Sequence, residues 1–457
     1  RAIISYLEVF VRRYNLLVIK LFASYVIPTV LAMFISGTYQ IVDGFFVGHF
    51  IGVEGLAAVN IGWSYITLLL GFGFLVGVGI GSLYSIAKGV EEHSRARKIL
   101  GQALFLQFIP GILIGIILYT LAPWLVSILG VSGETAEMSI LFIRTFSFAA
   151  PFVIGSLAMP FIVRNVGTPL RATGYIAAGV TVNILLSFLL ISYFKIGILG
   201  AALASIGGEM VAMVLGGYYV LKQSDERLTL ADFKPDFRLL GRILLTGSSA
   251  FFTFIYIGFI MTLHHKFLMK YGGTVAVSAY TIAGYLLTIY YFAVEGVANG
   301  AQPLISRFYG EERVMSTRYV TRLMIYVGLG VGIIITALLL IFPHFFTSWF
   351  TDDPELVSVT VYALRLHLAV LFLDGLFVTA TMFFQAIGEG QKALVISVGN
   401  LLLQVPFLYL LPKYWGLDGV WLTMPIATVI LAVPVSFMFY HRYQRITDEE
   451  FEDELGG

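Results

Sequence analysis

Apolar stretches of about 20 residues, the length that crosses a bilayer as a helix, recur along the whole chain; Leu104 to Leu121, Thr173 to Leu190 and Val327 to Phe342 are examples. Inside hydrocarbon the backbone must satisfy its own hydrogen bonds, so such stretches fold as helices. Of the 457 residues, 58% are hydrophobic and 12% charged, half the usual charged share of a soluble domain. We read twelve spans, near 16–48, 56–87, 98–122, 135–162, 170–193, 199–221, 240–268, 274–306, 315–341, 356–386, 392–411 and 418–440. The expected fold is an all-α polytopic membrane protein.

A shift of 221 residues lays the second half on the first. Ser85 then meets Ser306, Arg97 meets Arg318, Arg144 meets Arg365 and Gly167 meets Gly388. Gly52-Val-Glu-Gly-Leu-Ala-Ala-Val-Asn-Ile61 meets Gly273-Thr-Val-Ala-Val-Ser-Ala-Tyr-Thr-Ile282, each opening the second helix of its half. A unit of six spans enters and leaves on one side. The two bundles are therefore expected to be parallel repeats about a pseudo-two-fold axis along the membrane normal, an arrangement typical of secondary transporters. The expected organisation is a bundle at 1–222, a polar linker at 223–239, a second bundle at 240–445 and an acidic tail at 446–457. Gly73, Gly77 and Gly81, like Gly328 and Gly332, have the four-residue spacing that lets helices approach closely, and we read them as packing.

Net charge is +1, so electrostatics as a whole points to no nucleic acid. With the N-terminus inside, 22 of 28 Lys and Arg fall on cytoplasmic ends and loops and four outside (Lys195, Lys266, Lys270, Lys413). Such a positive-inside bias places both termini in the cytoplasm. The absence of Cys excludes disulfides and thiolate metal sites. No signal peptide is visible, and since the chain opens on Arg1 rather than Met, residues are expected to precede it.

A charge at the bilayer centre costs about 2.5–3.5 kcal/mol on insertion scales, so each one needs a reason. Asp43 ends a stripe of Ser36, Tyr39 and Gln40 on one helix face; Glu295 heads one with Asn299, Gln302 and Ser306; Asp374 joins His367, Thr381 and Gln385. Three polar faces in an apolar bundle imply a wet cavity. Glu209 follows Ser205 by one turn. Arg144 and Arg365 recur in both halves, which favours a structural role such as capping carbonyls. His264 occupies the repeat position of Asp43, yet it and His265 lie where interfacial histidines are common. No Walker loop, HExxH pair or GxSxG elbow is present, so we expect no enzyme and no cofactor. Transport driven by an ion gradient remains.

Val42-Asp-Gly-Phe-Phe-Val-Gly-His49, followed by Leu56-Ala-Ala-Val-Asn-Ile61, Gln302-Pro-Leu-Ile-Ser306 with Tyr309-Gly310, and Phe384-Gln-Ala-Ile-Gly388 resemble the MATE (multidrug and toxic compound extrusion) family, closest to its bacterial DinF-like and MepA-like branches. The resemblance covers nearly the whole chain and implies a twelve-helix antiporter that exports organic cations and amphiphiles against protons or sodium. It matches Asp43 to the first-helix coupling carboxylate, Pro28 to a proline where that helix bends, Asn183 to a fifth-helix asparagine and Asp374 to the tenth-helix carboxylate of NorM-like members. Two departures stand: Ser187 occupies the place of an expected aspartate, and no seventh-helix glutamate stands near Tyr256 and Ile257. We infer that Glu209 and Glu295 supply the missing carboxylates.

The expectation is thus cation/drug antiport by rocker-switch alternating access in a bacterial inner membrane, carried out by a monomer among lipids. The coupling ion is H+ or Na+. Ion coupling is assigned to Asp43, Asn183, Asp374, Glu295 and Glu209, with a candidate sodium site at Asp43 and Asn183. The substrate cavity is assigned to Tyr39, Gln40, Ser205, Tyr256, Tyr290, Asn299, Gln302 and Thr381, aromatic faces serving small lipophilic cations. Two alternatives stay open. A flippase for lipid-linked or polysaccharide precursors needs a cationic cleft, whereas four intramembrane acids face two arginines here. A channel or receptor needs no buried carboxylates.

Overall fold

The computed structural model describes the backbone of residues 2–223 and 227–456 and the side chains of 16–38, 41–52, 54–222 and 227–446. Its helices are α1 (Ala2–Phe50), α2 (Val53–Gly89), α3 (His93–Ile128), α4 (Glu134–Phe148), α5 (Ala150–Asn165), α6 (Pro169–Ser187), α7 (Ile198–Tyr218), α8 (Phe237–Gly310), α9 (Val314–Ile341), α10 (Pro343–Thr347), α11 (Pro354–His367), α12 (Asp374–Ala386) and α13 (Gly390–Gly456). No strand occurs among the described residues.

Eight of these are long and apolar enough to cross a membrane, and two bent pairs, α4 with α5 and α11 with α12, bring the total to ten. Inside α8 and α13 stand Gly273 (φ 66°) and Gly416 (φ 54°), each breaking helical geometry. That backbone region is open to glycine at little cost. Each of the two long helices is thus a pair of passages joined by a tight turn, which makes the twelve expected from sequence.

Spans four and ten, expected as single helices, are bent by 63° and 47°. The first bend has a sequence cause: Pro151 in the opening turn of α5 has no N–H to continue the ladder of α4. The second lies in Leu368-Ala-Val-Leu-Phe-Leu373, without Pro or Gly. There the Tyr290 hydroxyl donates to the Leu371 carbonyl at 2.8 Å, capping a group that the broken helix leaves free.

The expected glycine stripes pack helices. A Cβ at Gly73 would sit 2.8 Å from the Ile154 carbonyl and one at Gly81 2.4 Å from Asn165 Nδ2, so α2 lies directly on α5; one at Gly328 would meet Thr379 at 3.0 Å. On α3, Ile109, Leu113, Ile116 and Ile117 point outward, as a lipid-facing surface requires. Repeat-equivalent contacts appear as well. Ser85 Oγ donates to Asn165 Oδ1 at 2.7 Å, and 221 positions on Ser306 Oγ donates to the Ala386 carbonyl at 2.7 Å. Arg144 Nε donates to the Tyr119 carbonyl at 3.3 Å, with its guanidinium over the Tyr119 ring. Arg365 is exposed.

Packing divides the chain into two compact units that do not run along the sequence halves. One comprises residues up to Leu31, Ile260–Ile387 and Ile396 onward; the other comprises Ala32–Phe259 and Gly388–Val395. The division crosses α1 three residues after Pro28, whose missing N–H leaves one helical bond unmade. In the first unit Val26 and Val30 lie against Gly300 and Gly296; in the second Ile243 lies against Gly79. The linker is folded locally: Thr229 and Asp232 form a capping box, and Gln102 on α3 donates to the carbonyls of Asp232 and Lys234.

Candidate functional site

Within its membrane-spanning helices each unit buries one aspartate among polar partners. In the second unit Asp43 on α1 is 5% exposed. Asn183 Nδ2 (3.2 Å) and Ser187 Oγ (3.4 Å) of α6 donate to its Oδ1, and Ser205 Oγ of α7 donates to its Oδ2 at 2.7 Å. All three partners are fully buried. The α6–α7 contact that delivers them is close: a Cβ at Gly208 would lie 2.6 Å from the Gly179 carbonyl and 2.9 Å from Asn183 Cβ. Three donors on one carboxylate replace the hydration that hydrocarbon denies. No Lys or Arg pairs with Asp43 among the described residues.

Asp43 and Asn183, both assigned to ion coupling, are in hydrogen-bond contact, and Ser187, where the resemblance expected an aspartate, turns a hydroxyl to the same carboxylate. Asn183 presents Nδ2, and its Oδ1 is buried without a partner. A sodium ion held by Asp43 and Asn183 would need that amide turned over, because only an oxygen ligates a hard cation. Glu209, one turn beyond Ser205, has Oε2 buried without a partner.

In the first unit Asp374, 4% exposed, opens α12. Tyr291 OH donates to its Oδ2 at 2.7 Å and Thr428 Oγ1 to its Oδ1 at 3.2 Å. Sequence reasoning singled out neither partner. Tyr291 had a signal, since it extends the Glu295 stripe by one turn; Thr428, like Thr423 before it, is a threonine in an apolar helix and had none.

Other expectations need correction. Tyr290, assigned to the cavity, is fully buried in the apolar core with Leu364 and Leu371, and its hydroxyl caps the bend. Gln302 is 1% exposed and donates to Ser306 at 2.9 Å, so it helps anchor α8; Asn299 is 5% exposed. His367 does not share a helix with Asp374, because the bend intervenes. It binds the Trp421 carbonyl through Nδ1 at 3.0 Å and packs with His264 and Tyr280 in an aromatic cluster. Tyr256, Glu295 and Thr381 are half-buried. The side chains of Tyr39 and Gln40 lie outside the described residues.

Two polar carboxylate sites in a twelve-pass apolar bundle suit a carrier of small solutes. Comparison with known proteins agrees. A multidrug export protein, MepA, of Staphylococcus aureus is 24% identical over 436 residues, covering 95% of this chain and 96% of that one. The MepA of Staphylococcus saprophyticus is 24% identical over 429 residues, covering 93% and 94%. Among solved structures, a MOP-superfamily transporter from Pyrococcus furiosus superposes with a TM-score of 0.87 at 23% identity, covering 94% of this chain and 96% of that one. A multidrug-resistance MATE transporter in an outward-facing conformation superposes with a TM-score of 0.87 at 24%, covering 93% and 96%. The sequence model of the MatE family matches twice, at residues 28–189 and 249–410, each end displaced by the same 221 residues as the internal repeat. Matched through both halves, the chain belongs to the MatE family of membrane transporters.

Proposed function

We propose that the chain exports small lipophilic cations and other amphiphilic compounds from a bacterial cytoplasm, with proton entry as the driving force. The carrying observation is Asp43: a carboxylate 5% exposed, held by three neutral donors and no cation. A carboxylate site so built within the membrane takes part in ion exchange, which a purely structural residue has no need to do. Multidrug export by the MepA relatives supports the same cargo. A flippase is less well supported, because no arginine or lysine accompanies either buried aspartate among the described residues. Alternating access with both termini in the cytoplasm would carry the cargo across, with α1 bending near Pro28.

The test is reconstitution into proteoliposomes with tetraphenylphosphonium as cargo. Transport against its gradient only when an opposed proton gradient is imposed supports the reading. Equal transport under a sodium gradient alone would transfer the coupling to sodium, and leakage without any gradient would make the protein a channel.

A further inference from the structure

We infer that in the Asp43 site the exchangeable proton resides on Glu209, with Asp43 serving as the fixed anion. This deepens the reading of the chain as a proton-driven exporter and rests on it.

The two acids are equipped differently. Asp43 receives three hydrogen bonds, at 2.7, 3.2 and 3.4 Å, and a carboxylate so supplied is stable without a proton. Glu209 has no such set: its Oε2 is buried and has no partner. Leaving an ionised oxygen in that condition is costly, whereas the neutral acid needs much less. The two groups belong to one site. Glu209 follows Ser205 by four residues on α7, so it shares the helix face that meets Asp43. The helices packed against α7 bring Glu134, Glu137 and Arg144 of α4, Arg164 of α5, and Arg171 and Tyr175 of α6; the acid that α7 itself holds, through Ser205, is Asp43 of α1. Two like charges at close quarters do not both ionise readily. Independently, Asn183 is fully buried with Oδ1 unpartnered, so the site retains an acceptor for a donor that the side chains do not supply. A carboxylic acid O–H is such a donor. Ser187, standing where the sequence resemblance expected an aspartate, leaves Glu209 to provide the second carboxyl. In the cycle Glu209 would release its proton to water as the cargo cation binds and regain one from water after the cargo leaves.

The experiment compares wild type, Glu209→Gln, Glu209→Asp and Asp43→Asn as purified full-length protein, each checked for a native melting transition. Infrared pH titration of the ligand-free protein reads the protonated-carboxyl C=O band. The expected result is a titrating band lost in Glu209→Gln and retained, displaced, in Glu209→Asp. Tetraphenylphosphonium binding is then measured against pH. Release of one proton per cation makes wild-type affinity change by about tenfold per pH unit, and Glu209→Gln should be flat. A band and a slope that survive in Glu209→Gln but vanish in Asp43→Asn overturn the assignment. The infrared result stands even if wild-type vesicles export nothing, in which case the proton-driven reading fails while the location of the proton is still decided.

Discussion

Ser205 holds Asp43 with a hydrogen that it cannot give twice: its Oγ lies 2.7 Å from Asp43 Oδ2 and 3.0 Å from the Ala201 carbonyl. A hydroxyl has one O–H. When Asp43 is ionised the hydrogen points to Oδ2; were Asp43 protonated, its own hydrogen would point to Ser205 and that of Ser205 to Ala201. The residue thus accommodates either state without leaving its rotamer.

Ser205→Ala removes the one donor to Oδ2 among the described residues, since Asn183 and Ser187 both serve Oδ1. We expect a loss of about 1–2 kcal/mol in stability and weakened gradient-driven export, with Ser205→Thr close to wild type. Detergent melting curves and vesicle efflux on the same preparations check both.

Tyr290 and Tyr291 are neighbours with opposite duties. Tyr290→Phe strips the donor from the Leu371 carbonyl at the bend of span ten and should lower stability by about 1 kcal/mol while coupling is kept. Tyr291→Phe strips the 2.7 Å donor from Asp374 and should impair export, at a stability cost of about 1–2 kcal/mol. An exchange of these two phenotypes would show that the bend, and not the acid, is the functional element.

Packing of α2 on the start of α8 tolerates no side chain at Gly79, where a Cβ would stand 2.3 Å from the Ile243 carbonyl. Gly79→Ala should cost about 1–3 kcal/mol through overpacking. Gly44, with nothing within 4 Å of its Cβ position, is the control: Gly44→Ala should be neutral or slightly stabilising, as helix propensity dictates. Thermal unfolding in one detergent compares the two.

Much of the scaffold was legible because the repeat constrains it twice over. The Ser85–Asn165 and Ser306–Ala386 contacts recur at one offset, and hydropathy places the breaks at Gly273 and Gly416. Asp43 stood out as a charge at the end of a polar stripe, whereas Asn183 was singled out only by resemblance. The bend at 368–373 was not legible, since it has no local breaker and the carbonyl it frees is capped by Tyr290 from a distant part of the chain. Nor could a polar stripe choose between Tyr290 and Tyr291, because successive side chains on a helix diverge by about 100° and only packing decides which one faces the acid. His264, sharing the repeat position of Asp43, shows the converse: it is 1% exposed and stacks on Tyr280 in an aromatic cluster. Equivalent positions in the two halves have taken different work.

We propose that Asp43 and Asp374 couple export to the ion gradient. The most direct measurement is the rate of tetraphenylphosphonium export from proteoliposomes under an imposed proton gradient, for wild type, Asp43→Asn and Asp374→Asn at matched protein incorporation. Gradient-driven export is expected in the wild type and its loss in Asp43→Asn, with a substantial reduction in Asp374→Asn and folding retained in both. Wild-type rates in both variants under the same gradient would contradict that coupling.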